Sequence, residues 1–197
     1  MGRVQEMTVG DKDHTKWPQK SDYSELRKPE IREAFNDNKM SYKNIETNTG
    51  RIVINNAQAI APDTTWLTLT TLTGQLIWIN CVNPNTFSRV YDYSGILGYL
   101  KGEFSSGKKP PVLSLKAIVS LTYTPEIVHK LFQSVSDVIA CEKSIINATE
   151  AAFKLSGPGD IILFSPSQWV GGFFVNTLDA QKIFDQAVQE VATLYYS

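Results

Sequence analysis

The chain has 197 residues, of which 42% are hydrophobic and 20% charged, and its formal net charge at pH 7 is -1. This is the composition of an ordinary globular domain, and its near-neutral charge excludes a general attraction to nucleic acid or to an anionic membrane surface. No apolar run reaches the length of a transmembrane helix, so we expect no membrane insertion. The two cysteines, Cys81 and Cys141, lie in apolar segments. We expect them to be free thiols in a cytoplasmic protein.

The first 29 residues are polar and lack any apolar period. Residues 1–29 are therefore predicted to form an exposed, flexible arm. This arm is either a loose terminus or a partner-binding segment that docks through Trp17 and Tyr23. Residues 30–197 are predicted to form a single domain, which opens with a short helix over 30–41.

The rest of the chain alternates between short apolar runs and amphipathic segments. A hairpin is predicted first, with its turn at 47–50 and its return strand at 51–55. Further strands are predicted at 75–80, 115–121, 137–141 and 160–164, and helices at 64–72, 93–104, 125–135, 144–155 and 178–195. Asp63 and Ser144 are the expected caps of two of these helices, and Gly74 is expected to end the first one.

This order predicts an α/β fold. Buried strands interleaved with helices indicate a mostly parallel sheet of about six strands that is covered on both faces. Right-handed crossovers then make the domain Rossmann-like and doubly wound, and the opening hairpin adds an antiparallel edge.

The turn after the first parallel strand lies where ligands bind in such sheets, at the carboxyl edge. It carries Asn55, Asn56 and Gln58, but neither GxGxxG nor GxxxxGK[ST] occurs there or elsewhere as a phosphate loop. Ser165 follows the last core strand without the GxSxG pattern of a nucleophile elbow. His129 is predicted to face solvent. We therefore expect no catalytic residue, no metal site and no cofactor, and we read Ser165 as a turn residue.

Four aspartates, Asp63, Asp137, Asp160 and Asp179, each precede a predicted strand or helix. This is the usual position of capping and turn residues, so a structural role is expected for them.

Three aromatic residues stand apart from the predicted core. Trp169, Phe173 and Phe174 lie in the glycine-containing stretch SQWVGGFFVN, after the last core strand. Apolar bulk in such a loop indicates either a lid that folds inward or an exposed surface that binds a partner.

Several segments between about residue 30 and residue 195 carry a family resemblance. They include GRIVINNAQAIAPDTTWLTLTTL, LKAIVSL, DVIACE, GDIILFSP and FDQAVQEV. Together they resemble the C-terminal domain of the Mur ligases, and most closely that of the ligase that adds D-glutamate to UDP-N-acetylmuramoyl-L-alanine. GDIILFSP is the most specific segment, because the family pattern there is GDVVLLSP.

The resemblance implies a three-domain ATP-dependent amide ligase of bacterial peptidoglycan synthesis, whose C-terminal domain brings the amino-acid substrate. The family's site motifs are altered in this chain. The pattern NDSKATN reads NNAQAIA at 55–61, so Gln58 stands where the family has a lysine. The pattern GGxDKG reads NCVNPN at 80–85. In the third motif, SPAxASFD, Ser165 and Pro166 are kept, but Gly171 and Gly172 replace the Phe-Asp pair.

Loss of the carboxylate-binding lysines removes charge-assisted bonds. The resemblance therefore predicts a non-catalytic domain that binds a protein partner, with Trp169, Phe173 and Phe174 as anchors. The alternative is a small-ligand domain for a nucleotide, an amino acid or a muropeptide, acting in trans with a separate ATP-binding subunit. Its remnant site would be Asn55, Asn56, Gln58 and Ser165. A structural or regulatory subunit of the cell-wall synthesis machinery is a third possibility.

Overall fold

The computed structural model describes residues 42–83, 91–103 and 113–195. The predicted arm over 1–29 and the predicted helix over 30–41 lie outside the described residues. The strands are β1 (Lys43–Ile45), β2 (Ile52–Asn55), β3 (Gly74–Val82), β4 (Leu113–Thr122), β5 (Ile139–Glu142) and β6 (Ile161–Phe164). The helices are α1 (Pro62–Leu69), α2 (Ser94–Leu100), α3 (Pro125–Phe132), α4 (Ile145–Leu155) and α5 (Thr177–Ala192), followed by a 3-10 turn (Thr193–Tyr195).

The six strands form one sheet in the order β1-β2-β6-β3-β4-β5. β1 is antiparallel to β2, and the other neighbouring pairs are parallel. The last strand in sequence, β6, inserts between β2 and β3, so the chain reverses its direction of winding there. This architecture confirms the predicted Rossmann-like α/β fold, including its antiparallel edge hairpin.

Helices cover both faces of the sheet. One face packs against α4 and α5, where the Phe164 and Phe184 rings are 4.7 Å apart between centroids. The other face packs against α1, α2 and α3, where Phe132 makes edge-to-face contacts with Trp78 and Tyr93. Each fully buried side chain of this size stabilises the fold by roughly 1.5–3 kcal/mol. Of the five aromatic residues that the sequence predicts in the core, Trp78, Phe153, Phe164 and Phe184 are 0% exposed, whereas Trp66 is only partly buried and packs against the core from outside.

The ends of α1 differ from the prediction. The N-cap of α1 is Ala61, and Asp63 lies inside the helix rather than capping it. The Thr64 hydroxyl stabilises this end, since it donates to the Ala61 carbonyl at 2.8 Å and lies 3.4 Å from the Ala61 N–H. The helix ends at Leu69, well before Gly74, because threonine hydroxyls satisfy its last carbonyls. Two such bonds run from Thr70 to the Leu67 oxygen and from Thr71 to the Thr68 oxygen.

The other boundaries lie close to the predicted ones. Ser144 caps α4 as expected, with its hydroxyl accepting from the Asn147 N–H at 3.3 Å. β3 runs on to Val82, so Cys81 belongs to a strand rather than to the following loop. Cys81 is a buried free thiol and Cys141 a half-buried one, as expected. In the described ranges, no helix combines the length and the apolar character needed to cross a membrane.

Candidate functional site

The five parallel strands end along one edge of the sheet. Their last residues are Asn55, Phe164, Val82, Thr122 and Glu142, in spatial order from β2 to β5. The segments that continue from these ends form the carboxyl edge, which is where ligands bind in open α/β sheets. Each sequence-predicted site residue lies at this edge: Asn55 ends β2, and the others are in the segment after β2 or the segment after β6.

Asn55 is 1% exposed and uses its whole amide group within the protein. Its Nδ2 donates to Asp185 Oδ1 at 2.6 Å and to the Gln181 carbonyl at 2.9 Å. Its Oδ1 accepts from the Ala57 N–H at 3.2 Å. These bonds hold the end of β2 against α5, and they leave no amide atom of Asn55 for a ligand.

Asn56 and Ser165 face the other side of the sheet and bind α1. The Asn56 Nδ2 donates to Thr68 Oγ1 at 2.6 Å. The hydroxyls of Ser165 and Thr65 are 2.8 Å apart, and both residues are 0% exposed. Since His129 is exposed on α3, no histidine of the described residues lies beside this hydroxyl as a general base.

Gln58 is the one exposed residue among the four predicted ligand contacts. The predicted remnant site is therefore brought to one edge of the sheet, but three of its four side chains are turned into the protein.

The register of the sheet aligns five polar or thiol side chains in one row across neighbouring strands. From β2 to β5 the row contains Asn56, Ser165, Asn80, Ser120 and Cys141. The Ser120 hydroxyl donates to Asn80 Oδ1 at 2.6 Å. The Asn80 Nδ2 is fully buried and has no hydrogen-bond partner among the described residues. A buried amide in this state costs roughly 1–3 kcal/mol.

The segment that follows β6 is tied down by three neighbours. The Ser167 N–H donates to the Ala59 carbonyl at 2.7 Å, and the Cys81 N–H donates to the Pro166 carbonyl at 3.1 Å. The hydroxyls of Ser167 and Tyr93 are 3.1 Å apart. Burial raises the pKa of Tyr93 well above its usual range, so its phenol stays neutral. Ser167 itself has a φ of 59°, the left-handed conformation that few non-glycine residues adopt.

The three predicted aromatic anchors have different environments. Phe174 is 8% exposed, and its ring centroid lies 6.1 Å from that of Phe164, so it is a core residue and not a surface anchor. Phe173 is half-buried and stacks on Tyr123, with centroids 5.1 Å apart and an interplanar angle of 7°. Trp169 is 42% exposed. The segment thus folds inward at one end and presents aromatic surface at the other.

Tyr123, directly after the end of β4, is a further exposed aromatic residue, with 57% of its surface open to solvent. The only sequence signal is an aromatic residue directly after a buried strand. Its stacking on Phe173 brings the segment after β4 to the segment after β6.

The predicted aspartates have mostly structural roles. Asp160 accepts from the Gly157 N–H at 2.8 Å and pairs with Lys116 at 2.7 Å. Asp179 accepts from the Val175 N–H at 3.0 Å. Asp63 differs, because partial burial and the neighbouring charge of Asp92 raise its pKa. In residues 42–83, 91–103 and 113–195, no three His, Cys, Asp or Glu side chains form a group that could hold a metal ion.

No protein-family model matches the sequence, and no curated protein sequence matches it. Among solved structures, the chain is similar to a domain described as part of a UDP-N-acetylmuramate:L-alanyl-γ-D-glutamyl-meso-diaminopimelate ligase from Haemophilus ducreyi 35000HP. The two share 12% sequence identity at a TM-score of 0.45, and the similarity covers 77% of this chain and 99% of that domain.

Proposed function

We propose that the described domain is a non-catalytic protein-interaction module. Its docking surface is the aromatic patch, which consists of Trp169, Tyr123 and Phe173. The observation that carries this proposal is that, at the carboxyl edge, polar side chains point into the protein and aromatic side chains point out. Three of the four polar side chains expected to bind a ligand, Asn55, Asn56 and Ser165, are buried and hydrogen-bonded to helices, whereas Trp169 and Tyr123 are exposed to solvent.

The inward hydrogen bonds argue against a ligand at the predicted remnant site. A ligand that recruited Asn56 or Ser165 would have to separate that residue from its threonine partner on α1. Breaking such a pair leaves a buried group unsatisfied, at a cost of roughly 1–3 kcal/mol. The site is therefore stable as part of the fold and poorly suited to binding.

The aromatic patch has the properties of an interaction surface. Trp169 and Tyr123 are 42% and 57% exposed, and Val175 and Leu178, which follow it in the chain, are 83% and 61% exposed. Exposed tryptophan and tyrosine side chains are enriched among the few residues that dominate the binding energy of protein interfaces. The stacking of Tyr123 on Phe173 holds the patch in place before a partner binds. The fitting partner presents apolar side chains of its own.

The sequence resemblance to the Mur ligases supports a place for this module in cytoplasmic peptidoglycan-precursor synthesis. The segment GDIILFSP carries that resemblance, and it forms β6 and the start of the segment that bears Trp169. The role would be a regulatory or assembly contact, since the altered motifs at 55–61 and 80–85 lack the family's lysines.

Two measurements test the proposal. A photoreactive amino acid placed at position 169 should cross-link a protein from a lysate of the native cells, and the same group at Ile52, an exposed residue at the opposite end of β2, should not. A thermal-shift screen against ATP, ADP, UDP-muramoyl peptides, D-amino acids and Mg²⁺ should give no shift. A shift with one of these ligands that disappears in Gln58→Ala would favour the small-ligand alternative and overturn the proposal.

A further inference from the structure

The strand β5 lies at one end of the sheet and has a single neighbour, β4, among the described strands. Its other edge carries backbone N–H and C=O groups that no described strand pairs with. Natural proteins usually protect such an edge with charge, with proline or with a covering element. β5 contains no proline, its one charged residue, Glu142, is at its end, and the residue before it, Val138, is 41% exposed.

The hydrogen bonds to β4 determine which groups point outward. The Ile118 N–H donates to the Val138 carbonyl at 2.9 Å, so Val138 directs its backbone groups toward β4. Successive residues of a strand direct these groups to opposite sides, so Ala140 also faces β4. The N–H and C=O groups of Ile139 and Cys141 therefore point away from the sheet.

The edge is self-complementary in charge. Asp137 lies two residues before Ile139, Lys143 lies two residues after Cys141, and both are exposed. If a second copy of the strand runs antiparallel with Ile139 opposite Cys141, the bend that carries Asp137 before one strand lies beside the bend that carries Lys143 after the other, so these charges can pair at both ends. Two other registers also match outward-pointing groups: Ile139 opposite Ile139, and Cys141 opposite Cys141. In neither of them do Asp137 and Lys143 lie opposite each other at both ends.

Exposed apolar side chains occur on the two helices that cover β5. Ile127 on α3 and Ile146 on α4 are 39% and 37% exposed, and these two helices pack against β5 from opposite faces. In a two-fold arrangement α3 and α4 of each copy lie on the same faces of the joined sheet as those of the partner, and apolar side chains exposed there can add burial to the backbone pairing.

We propose that β5 is a homodimer interface, where two copies of this chain pair antiparallel and join their sheets into one continuous sheet. The two-fold axis passes midway between the two Ala140 residues, which lie opposite each other. Ile139 and Cys141 exchange backbone hydrogen bonds across the axis, and Asp137 pairs with Lys143 at both ends. The inference rests on the backbone and charges of β5 and does not depend on the proposed function.

Charge reversal tests the interface in the full-length chain. Sedimentation equilibrium should give a concentration-dependent dimer mass for the wild type. Asp137→Lys and Lys143→Asp should each weaken the dimer by about tenfold in Kd, because each brings like charges together twice. The double reversal, Asp137→Lys with Lys143→Asp, should restore the dimer to about the wild-type Kd, since it recreates the pairs with opposite polarity. Lys182→Asp, on the exposed side of α5, has the same charge change as Lys143→Asp and should have no effect.

Disulfide trapping tests the register. Residues directly opposite each other at a non-hydrogen-bonded position have Cα atoms about 4.5 Å apart, within the range of a disulfide. Ala140→Cys in a Cys141→Ser background should therefore form a covalent dimer under mild oxidation. The native Cys141 should not, because in this register it faces Ile139, and Cys81 is buried.

A monomer mass at every accessible concentration would overturn the proposal. So would a dimer that neither single charge reversal weakens. A dimer in which the native Cys141 cross-links and the introduced cysteine at 140 does not would overturn the register.

Discussion

The hydroxyl of Ser165 lies 2.8 Å from the hydroxyl of Thr65, with both residues completely buried between the end of β6 and the first turns of α1. In a parallel α/β sheet, a serine at this point of the carboxyl edge is well placed for a ligand or a nucleophile. Here its hydroxyl is used to fix a helix. The side chains of Asn55 and Asn56 are likewise bonded to helices. The carboxyl edge therefore uses its polar groups to hold the fold together, although the sequence resembles that of a ligase domain.

Separating the Ser165–Thr65 pair should destabilise the fold. Ser165→Ala or Thr65→Val alone leaves one buried hydroxyl unpaired and should lower the free energy of unfolding by about 1–3 kcal/mol. The double variant should cost less than the sum of the two, because no unpaired hydroxyl remains. Urea denaturation of the four proteins measures this coupling. Additive losses would mean that the two hydroxyls do not bond to each other.

Removing the unpaired amide of Asn80 should stabilise the protein. In Asn80→Leu with Ser120→Ala, both members of a buried polar pair give way to apolar groups, and the partnerless Nδ2 is lost. We expect a gain of about 1 kcal/mol in the free energy of unfolding. Asn80→Ala alone should instead lower it by about 1–3 kcal/mol, because it leaves a cavity and an unpaired Ser120 hydroxyl. A loss in the double variant as well would indicate that a bound water satisfies the amide.

Asp160 should make stability depend on pH in acid. Burial alone would raise the pKa of its carboxyl, but hydrogen bonds from Lys116 and from the Gly157 N–H outweigh this and hold the pKa below its ordinary value of 3.8. A carboxyl with a lowered folded-state pKa stabilises the fold fully above its unfolded pKa, and this contribution is lost as the pH falls through the folded pKa. The free energy of unfolding should therefore decline below about pH 5.

The matched variant for that measurement is Asp160→Asn, which keeps an acceptor without the charge. It should lower stability at neutral pH by roughly 1–2 kcal/mol and flatten the decline in acid. An unchanged acid slope would assign the pH dependence to other carboxyl groups.

Gly172 should be required for the shape of the aromatic patch. Its φ is 95°, and a Cβ at this position would lie 2.8 Å from Asn83 Nδ2. Gly172→Ala should therefore cost about 1–3 kcal/mol in unfolding free energy and displace the segment that carries Trp169 and Phe173. Amide hydrogen exchange of residues 167–174 would report the displacement.

Gly95 is the control for that variant, since it lies in α2 and a Cβ added there would meet no atom within 4 Å. Gly95→Ala should raise stability by about 0.5–1 kcal/mol. Equal effects at the two glycines would contradict the special role of Gly172.

The fold could be predicted from the sequence because its signals are local. Alternating apolar runs and helix caps such as Ser144 depend on neighbouring residues, and both agree with the structure. The prediction that Asp63 caps α1 was wrong, because the helix already begins at Pro62. At its N-terminus the hydroxyl of Thr64 takes the place of a capping carboxylate.

The sequence predicts where the candidate site lies in the fold, but not which of its side chains face solvent. Contacts between distant segments decide whether Asn56 faces a ligand or Thr68. Such contacts also decide that Phe174 is buried while Phe173 stacks on Tyr123. Sequence periodicity does not report such contacts, because the loop residues at 165–174 follow neither a helical nor a strand period.

Whether the aromatic patch binds a protein is tested most directly by the affinity of this chain for the partner that cross-links at position 169. Its Kd should be measured for the wild type, for Trp169→Ala with Tyr123→Ala, and for Ile52→Ala as the control at the opposite end of the sheet. We expect a loss of at least about 30-fold for the patch variant, with no change in the control, because truncated aromatic anchors typically cost about 2 kcal/mol or more. An unchanged affinity in a patch variant that remains folded would contradict a role of the aromatic patch in binding.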